Sequence, residues 1–234
     1  MNPNQEQWTK IDEFLAGALF CSDPVLNAAL EASASAGLPA IQVSPCQGRM
    51  LQMLAQLHGA RNILEIGTLG GYSTIWLARG LSAGGRLITL EVDPRHAEVA
   101  GANIARANLA NVVDLRVGPA LEILPKLAVE GLAPFDFIFI DADKPSTPEY
   151  FSWAIKLSRQ GSLIVVDNVI RKGALIDAES TDPAVLGMRR FIELLGAQPG
   201  VTATAIQTVG SKGYDGFALA LVNGNTGTKA EQIE

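Results

Sequence analysis

The apolar positions along this chain change period repeatedly, and the changes lay out alternating helices and strands. Helical spacing comes first. Trp8, Ile11, Leu15 and Leu19 recur every three or four residues, the interval that gathers side chains on one helix face. Asp23-Pro24 then supplies a capping acid and a first-turn proline for a second helix. Ser44-Pro45-Cys46-Gln47 has the form of a capping box, and the helix it opens should carry Met50, Leu51, Leu54 and Leu57 on one face. From residue 62 the period shortens. Strands are expected near 62–66, 86–92, 112–117, 136–140 and 161–166, with helical patterns between them. Asp182-Pro183 opens one more helix, through Phe191, Leu194 and Leu195. The runs Val201 to Val209 and Phe217 to Val222 flank Gly210-Ser211-Lys212-Gly213-Tyr214-Asp215-Gly216 and read as a hairpin. Such alternation predicts an α/β fold with a mainly parallel sheet. The stretch 171–182 and the polar tail from Asn223 read as weakly structured.

Two of these strands end in acids. Asp141-Ala142-Asp143-Lys144 follows Phe137-Ile138-Phe139-Ile140, and Asp167-Asn168 follows Leu163-Ile164-Val165-Val166, with 26 positions from Asp141 to Asp167. That interval suits one strand-helix-strand unit. A right-handed crossover puts both strand ends on one sheet edge, where open α/β sheets bind ligands. Oxygens of Asp141, Asp167 and Asn168 could converge there, and with no Cys or His nearby they suit a hard cation such as Mg²⁺ better than Zn²⁺. Taken singly, either acid reads better as a helix cap.

A third strand end adds to the pair. Ile63-Leu64-Glu65-Ile66 runs into Gly67-Thr68-Leu69-Gly70-Gly71-Tyr72-Ser73-Thr74, where glycines permit a tight turn and close approach of a ligand. The spacing is not Gly-x-Gly-x-x-Gly, which argues against a dinucleotide. The next strand, Arg86 to Asp93, contains Glu91, 24 positions after Gly67. That is about where a second-strand acid grips ribose hydroxyls. Turn and acid together favour a nucleoside-containing cofactor.

Composition narrows the class. At 234 residues with 48% hydrophobic content, the chain can bury the core of a single domain. Its divisions are a helical extension over 1–40, a core over 41–222 and a tail over 223–234. The net charge of −6, without a basic run, argues against nucleic acid as a partner. Cys21 and Cys46 form neither a zinc spacing nor a disulfide framework, which makes a reducing cytoplasm the expected location. The polar start is not a signal peptide, and no apolar run is long enough to span a membrane. No Gly-x-Ser-x-Gly elbow is present, and the two histidines, His58 and His96, read as structural or surface residues.

Taken in order, Glu65-Ile66-Gly67 to Gly71-Tyr72-Ser73, Glu91, Gly118-Pro119-Ala120, Asp141-Ala142-Asp143-Lys144 and Asp167-Asn168 resemble a known family. It is the cation-dependent, S-adenosylmethionine-dependent O-methyltransferases, the group of the catechol and caffeoyl-CoA enzymes, and most of all their small bacterial members. The resemblance spans roughly 40 to 222. It implies the class I Rossmann-like sheet of seven strands, order 3-2-1-4-5-7-6, with the last strand antiparallel and helices on both faces. It implies cofactor contacts from Val43, Glu65, Gly67, Thr68, Ser73, Glu91, Ala120, Asp141 and Asp143, with Glu91 on the ribose and Asp143 on the ammonium. Metal ligands would be Asp141, Asp167 and Asn168, holding Mg²⁺ or another divalent cation such as Mn²⁺ or Ca²⁺, with Lys144 as general base. The acceptor would be a small phenol with adjacent hydroxyls, and the assembly a homodimer. A non-catalytic nucleoside-binding protein and an RNA-modifying methyltransferase use the same fold and stay open as alternatives. Where plant members have Trp and Asn, this chain has Arg171 and Lys172, which could meet an acidic acceptor or could be solvated charges.

Overall fold

A computed structural model of the protein describes residues 4–20 and 23–224; Cys21 and the tail beyond Gly224 lie outside them. Three helices come first: α1 (Gln5–Leu19), α2 (Pro24–Ser35) and α3 (Pro45–His58). The alternating body follows with β1 (Asn62–Ile66), α4 (Tyr72–Arg79), β2 (Arg86–Glu91), α5 (Pro94–Arg106), β3 (Val113–Val117), α6 (Ala120–Val129), β4 (Phe135–Ile140), α7 (Thr147–Lys156) and β5 (Ser158–Asp167). A short 3-10 stretch at Arg171–Ile176 precedes α8 (Pro183–Ala197), β6 (Val201–Gly210) and β7 (Gly213–Val222). The strands form one sheet in the order β3-β2-β1-β4-β5-β7-β6. Strands β1 to β5 are parallel, and β7 pairs antiparallel with both β5 and β6. This is the class I methyltransferase topology.

The central strands explain their own position. Every residue of β4 is buried, which suits a parallel strand covered on both faces. Alternate side chains of the same strands serve two cores. Leu64, Ile66, Ile88, Leu90, Ile138 and Ile140 pack beneath α6, α7 and α8, while Ile63, Leu87, Phe137 and Phe139 pack against α3 and α4. The polar residue in β4, Asp136, accepts from the backbone of Arg61 and Asn62 at 2.8 and 2.9 Å and pairs with Arg159 at 2.6 Å. Burial opposes ionisation there, but the N–H donors and Arg159 win and hold its carboxyl below the usual range. This ion pair closes the sheet edge away from the site. No helix among the described residues is long and apolar enough to cross a membrane.

The sequence expectations need three adjustments. Helix α3 buries Gly48, Leu51, Gln52 and Ala55, and leaves Leu57 82% exposed. A Cβ on Gly48 would collide with the Trp76 ring, so α3 packs through Gly48, Leu51, Gln52 and Ala55, with Met50 and Leu54 partly buried beside them, and turns Leu57 to solvent. The hairpin loop is shorter than 210–216. Gly210 pairs with Gly213 and Val209 with Tyr214, so only Ser211 and Lys212 link the strands. The 171–182 stretch is partly ordered, because Asp215 Oδ1 accepts from the backbone N–H of Ile170 and Arg171, both at 3.0 Å.

Candidate active site

The ends of β1, β2, β4 and β5 meet at one edge of the sheet and open into a cavity of about 690 Å³. Its floor is the turn after β1. Gly67 sits at φ +100°, and a Cβ there would run into the carbonyl of Asp141, so only glycine lets β1 and β4 come this close. Leu69 holds a positive φ of 51°, which costs energy for a side chain of that size. Glu91 fixes this turn: its Oε2 accepts from Thr68 N at 3.2 Å and Leu69 N at 2.7 Å. Its other oxygen accepts from Asp93 N at 3.0 Å and faces His96 Nδ1 at 3.6 Å. The roof is the segment between α2 and α3. Leu38 and Val43 are buried in it, and Lys212 Nζ donates to Ala40 O at 2.7 Å.

Behind the floor lies Glu65, fully buried. Its carboxylate accepts from the hydroxyls of Ser73, Thr74 and Thr89. Burial outweighs those three donors, and Asp141 adds repulsion, so the carboxyl is pushed up to about 7. Expected among the contacts of the cofactor, Glu65 is no part of the cavity wall; Ser73, which it orients, is.

The acids after β4 and β5 form the second half. Lys144 Nζ donates to Asp141 Oδ1 at 2.8 Å, with both side chains largely buried. Asp143 accepts from the Tyr150 hydroxyl and from Ser146 N at 3.2 Å; burial first, then Asp143, raises the Tyr150 phenol and keeps it a donor. Asp167 is 5% exposed and accepts from Asn168 N at 2.8 Å. Burial and the nearby Asp141 charge push its carboxyl up to about 7, against the opposing pull of Lys144, the Gln47 side chain and Asn168 N–H. Two carboxylates thus share one ammonium. Asn168 lines the cavity at φ +58°, a left-handed conformation that Asn tolerates. Among the described residues no three His, Cys, Asp or Glu converge as a metal group, since this cluster offers two carboxylates and an amide. That donor set, with its uncompensated negative charge, fits a hard divalent cation.

A sequence model of the O-methyltransferase family matches residues 20–221. The chain belongs to that family. It is 57% identical over 219 residues to a catechol O-methyltransferase of Niastella koreensis, covering 94% of this chain and 99% of the relative. It is 56% identical to a catechol O-methyltransferase of Mycobacterium tuberculosis, covering 91% and 94%. The crystal structure of the O-methyltransferase from Bacillus cereus in complex with SAH superposes with a TM-score of 0.92 at 58% identity, over 93% of this chain and 99% of that one.

Within this O-methyltransferase, Val43, Gly67, Thr68, Ser73, Glu91, Ala120, Asp141, Asp143, Lys144 and Asn168 all line one cavity. Asp167 stands just behind the wall, beside Asp141. The sequence reading passed over three residues that the fold brings in. His96 lines the cavity beside Glu91, one turn into a helix capped by Asp93. Tyr150 reaches Asp143 from α7, and Gln47 reaches Asp167 from α3. Arg171 also lines the cavity, whereas Lys172 is exposed and does not.

Proposed function

We propose that this O-methyltransferase moves the methyl group of S-adenosylmethionine onto one oxygen of a vicinal diphenol, with a divalent cation such as Mg²⁺ holding the acceptor. The observation that carries the reading is one cavity joining Glu91 and its glycine turn to Asp141 and Asn168, with Asp167 just behind its wall and Lys144 paired to Asp141. The relatives from Niastella and Mycobacterium are named for catechol, and the Bacillus structure is a complex with SAH, which supports both ends of the reading.

When bound, the donor supplies a sulfonium methyl open to in-line attack. When bound, the cation supplies Lewis acidity and a template for two adjacent oxygens. The chain does the rest. Glu91 accepts from the ribose hydroxyls, as a carboxylate can from both, and Gly67, Thr68, Ser73 and Val43 enclose the methionine end. Asp143, steadied by Tyr150, faces the donor's ammonium, and Ala120 flanks the base. Asp141, Asp167 and Asn168 hold the cation. Lys144 Nζ, acting as the neutral amine after giving one proton to solvent, accepts the hydroxyl proton as the oxygen–carbon bond forms and the carbon–sulfur pair returns to sulfur. Holding both substrates in one cavity fixes their orientation, a contribution of up to ~7–11 kcal/mol in favourable models.

Glu91→Ala should weaken S-adenosylmethionine binding by about 1.5–3 kcal/mol, the range for losing a charged hydrogen-bond partner. Calorimetry reads this directly, and unchanged affinity would remove Glu91 from the site. The acceptor is tested by comparing catechol with phenol. A monophenol lacks the second oxygen for the cation and the orientation it fixes, so kcat/KM should fall by about tenfold or more, ~1.4 kcal/mol. Equal turnover of the two would defeat chelation as the basis of acceptor choice.

A further inference from the structure

One charge in the cavity wall has no answer in the rest of the chain. Arg171 lines the cavity, and its Nε is buried with no hydrogen-bond partner. Among the described residues its side chain makes no hydrogen bond or ion pair. Other arginines of this protein are matched: Arg79 with Asp23, Arg116 with Asp114 and Glu130, Arg159 with Asp136. That buried Nε is out of a ligand's reach, whereas the two terminal Nη groups, equally unpartnered and not buried, are the donors left open to what enters the cavity.

The surrounding acids are engaged elsewhere. Asp141 pairs with Lys144, Asp143 accepts from Tyr150 and Ser146, and Glu91 accepts from Thr68, Leu69 and Asp93. Asp215, under the same turn, accepts on Oδ1 from the N–H groups of Ile170, Arg171 and Gly216, each at 3.0 Å. The turn itself is held firmly. Val169 N donates to Gly216 O at 3.0 Å, and Asn168 and Arg171 both hold left-handed backbone, φ 58° and 52°. Arg171 therefore stands three residues from Asn168, on the segment that carries the oxygen set, and on a different strand end from Glu91. Its place is at the acceptor end.

We propose that the acceptor carries a carboxylate, on its ring or one short arm away, and that Arg171 recognises it. This rests on the vicinal-diphenol reading above. A guanidinium presents two parallel N–H groups to both oxygens of a carboxylate, which fixes direction as well as charge. Without Arg171, an anionic acceptor would meet a wall on which Glu91, Asp141 and Asp143 outnumber Lys144, itself paired with Asp141. The volume favours a small acid over a coenzyme A thioester as the source of the anion. A cavity of about 690 Å³ suits ligands of roughly drug size, and a nucleoside donor already occupies much of that space.

The test compares 3,4-dihydroxybenzoate with 3,4-dihydroxybenzamide, equal in shape and unequal in charge, with catechol and the coenzyme A thioester of 3,4-dihydroxycinnamic acid alongside. The wild type should favour the benzoate over the benzamide by about tenfold or more in kcat/KM, mainly through KM, as expected for one charged hydrogen-bonded contact. Arg171→Ala should bring that ratio close to one, and Arg171→Lys should keep part of it. Donor binding by calorimetry checks that each variant folds. Should Arg171→Ala fail that check, Arg171→Gln gives the same comparison with a neutral polar side chain in its place. A wild-type ratio near one, a ratio that survives in the neutral variants, or a preference for the thioester over the free acid overturns the carboxylate. Turnover of catechol with a ratio near one overturns the carboxylate alone. Failure of every diphenol overturns the reading beneath it.

Discussion

Stripping divalent cations with EDTA should abolish methyl transfer by this enzyme, and Mg²⁺ or Mn²⁺ should restore it. The reason is the charge left uncompensated at the cavity edge. Asp167 is nearly inaccessible, and burial with the adjacent Asp141 charge pushes its carboxyl up to about 7. A raised carboxyl favours the protonated form in the folded state. Ionising it costs stability as pH rises from its ordinary range toward about 7. A divalent cation reverses that balance, because it takes the ionised form. Three measurements follow. Asp167→Ala and Asn168→Ala should lose cation-dependent activity while still binding the donor. Asp167→Asn, which removes the buried charge and keeps the shape, should melt no lower than the cation-free wild type at neutral pH while being equally inactive. The Mg²⁺ concentration for half-activation should rise as pH falls from about 8 to about 6, since protons then compete for the same carboxyl. Full activity in excess chelator would sink the cation assignment and leave the methyltransferase assignment standing.

The features legible in the sequence are those that depend on neighbours along the chain. The apolar run Phe137 to Ile140 announces a central strand, because a parallel strand covered on both faces cannot alternate. Polar residues at the ends of such strands fall on the ligand edge whatever the rest of the chain does, so Glu91, Asp141 and Asn168 all reach the cavity. The missed features depend on contacts across the fold. Leu57 has the helical spacing of a core residue, but Gly48 lets Trp76 press on a different stripe of α3. Tyr214 and Asp215 look like loop residues beside so many glycines, yet the Gly210–Gly213 pair extends the strands to them. Glu65 lies in the motif with Gly67 and Ser73, but its side chain faces inward to three hydroxyls and does not line the cavity. Gln47 reads locally as a capping residue and His96 and Tyr150 carry no site signal; each is polar, on a helix, and drawn to the site by the acid it meets. Arg171 was legible as a choice between solvent and acceptor. Only the cavity wall, with its unpaired Nε, separates it from exposed Lys172.

Lys144→Ala should slow the chemical step by about 10²–10⁴-fold, the span for loss of a general base, with donor affinity nearly intact. Position is the first argument. The backbone of Lys144 is clamped, since a Cβ at Gly187 of α8 would run into its carbonyl, and Nζ is anchored 2.8 Å from Asp141 Oδ1. The ammonium is therefore held beside the oxygen set without a long search among rotamers. Two roles are compatible with that position: a base for the acceptor hydroxyl, or a counter-ion that keeps Asp141 in place. Their consequences differ. If Lys144 is the base, an acceptor ionised in advance no longer needs it. Raising the pH, or replacing catechol by 4-nitrocatechol with its more acidic hydroxyl, should then recover most of the lost rate in Lys144→Ala and add far less in the wild type. If Lys144 is only a counter-ion, the loss tracks a weaker cation site, and excess Mg²⁺ rather than higher pH recovers it. Rescue by Mg²⁺ with no response to acceptor acidity would therefore remove Lys144 from the proton transfer and leave it as a positioning residue for Asp141.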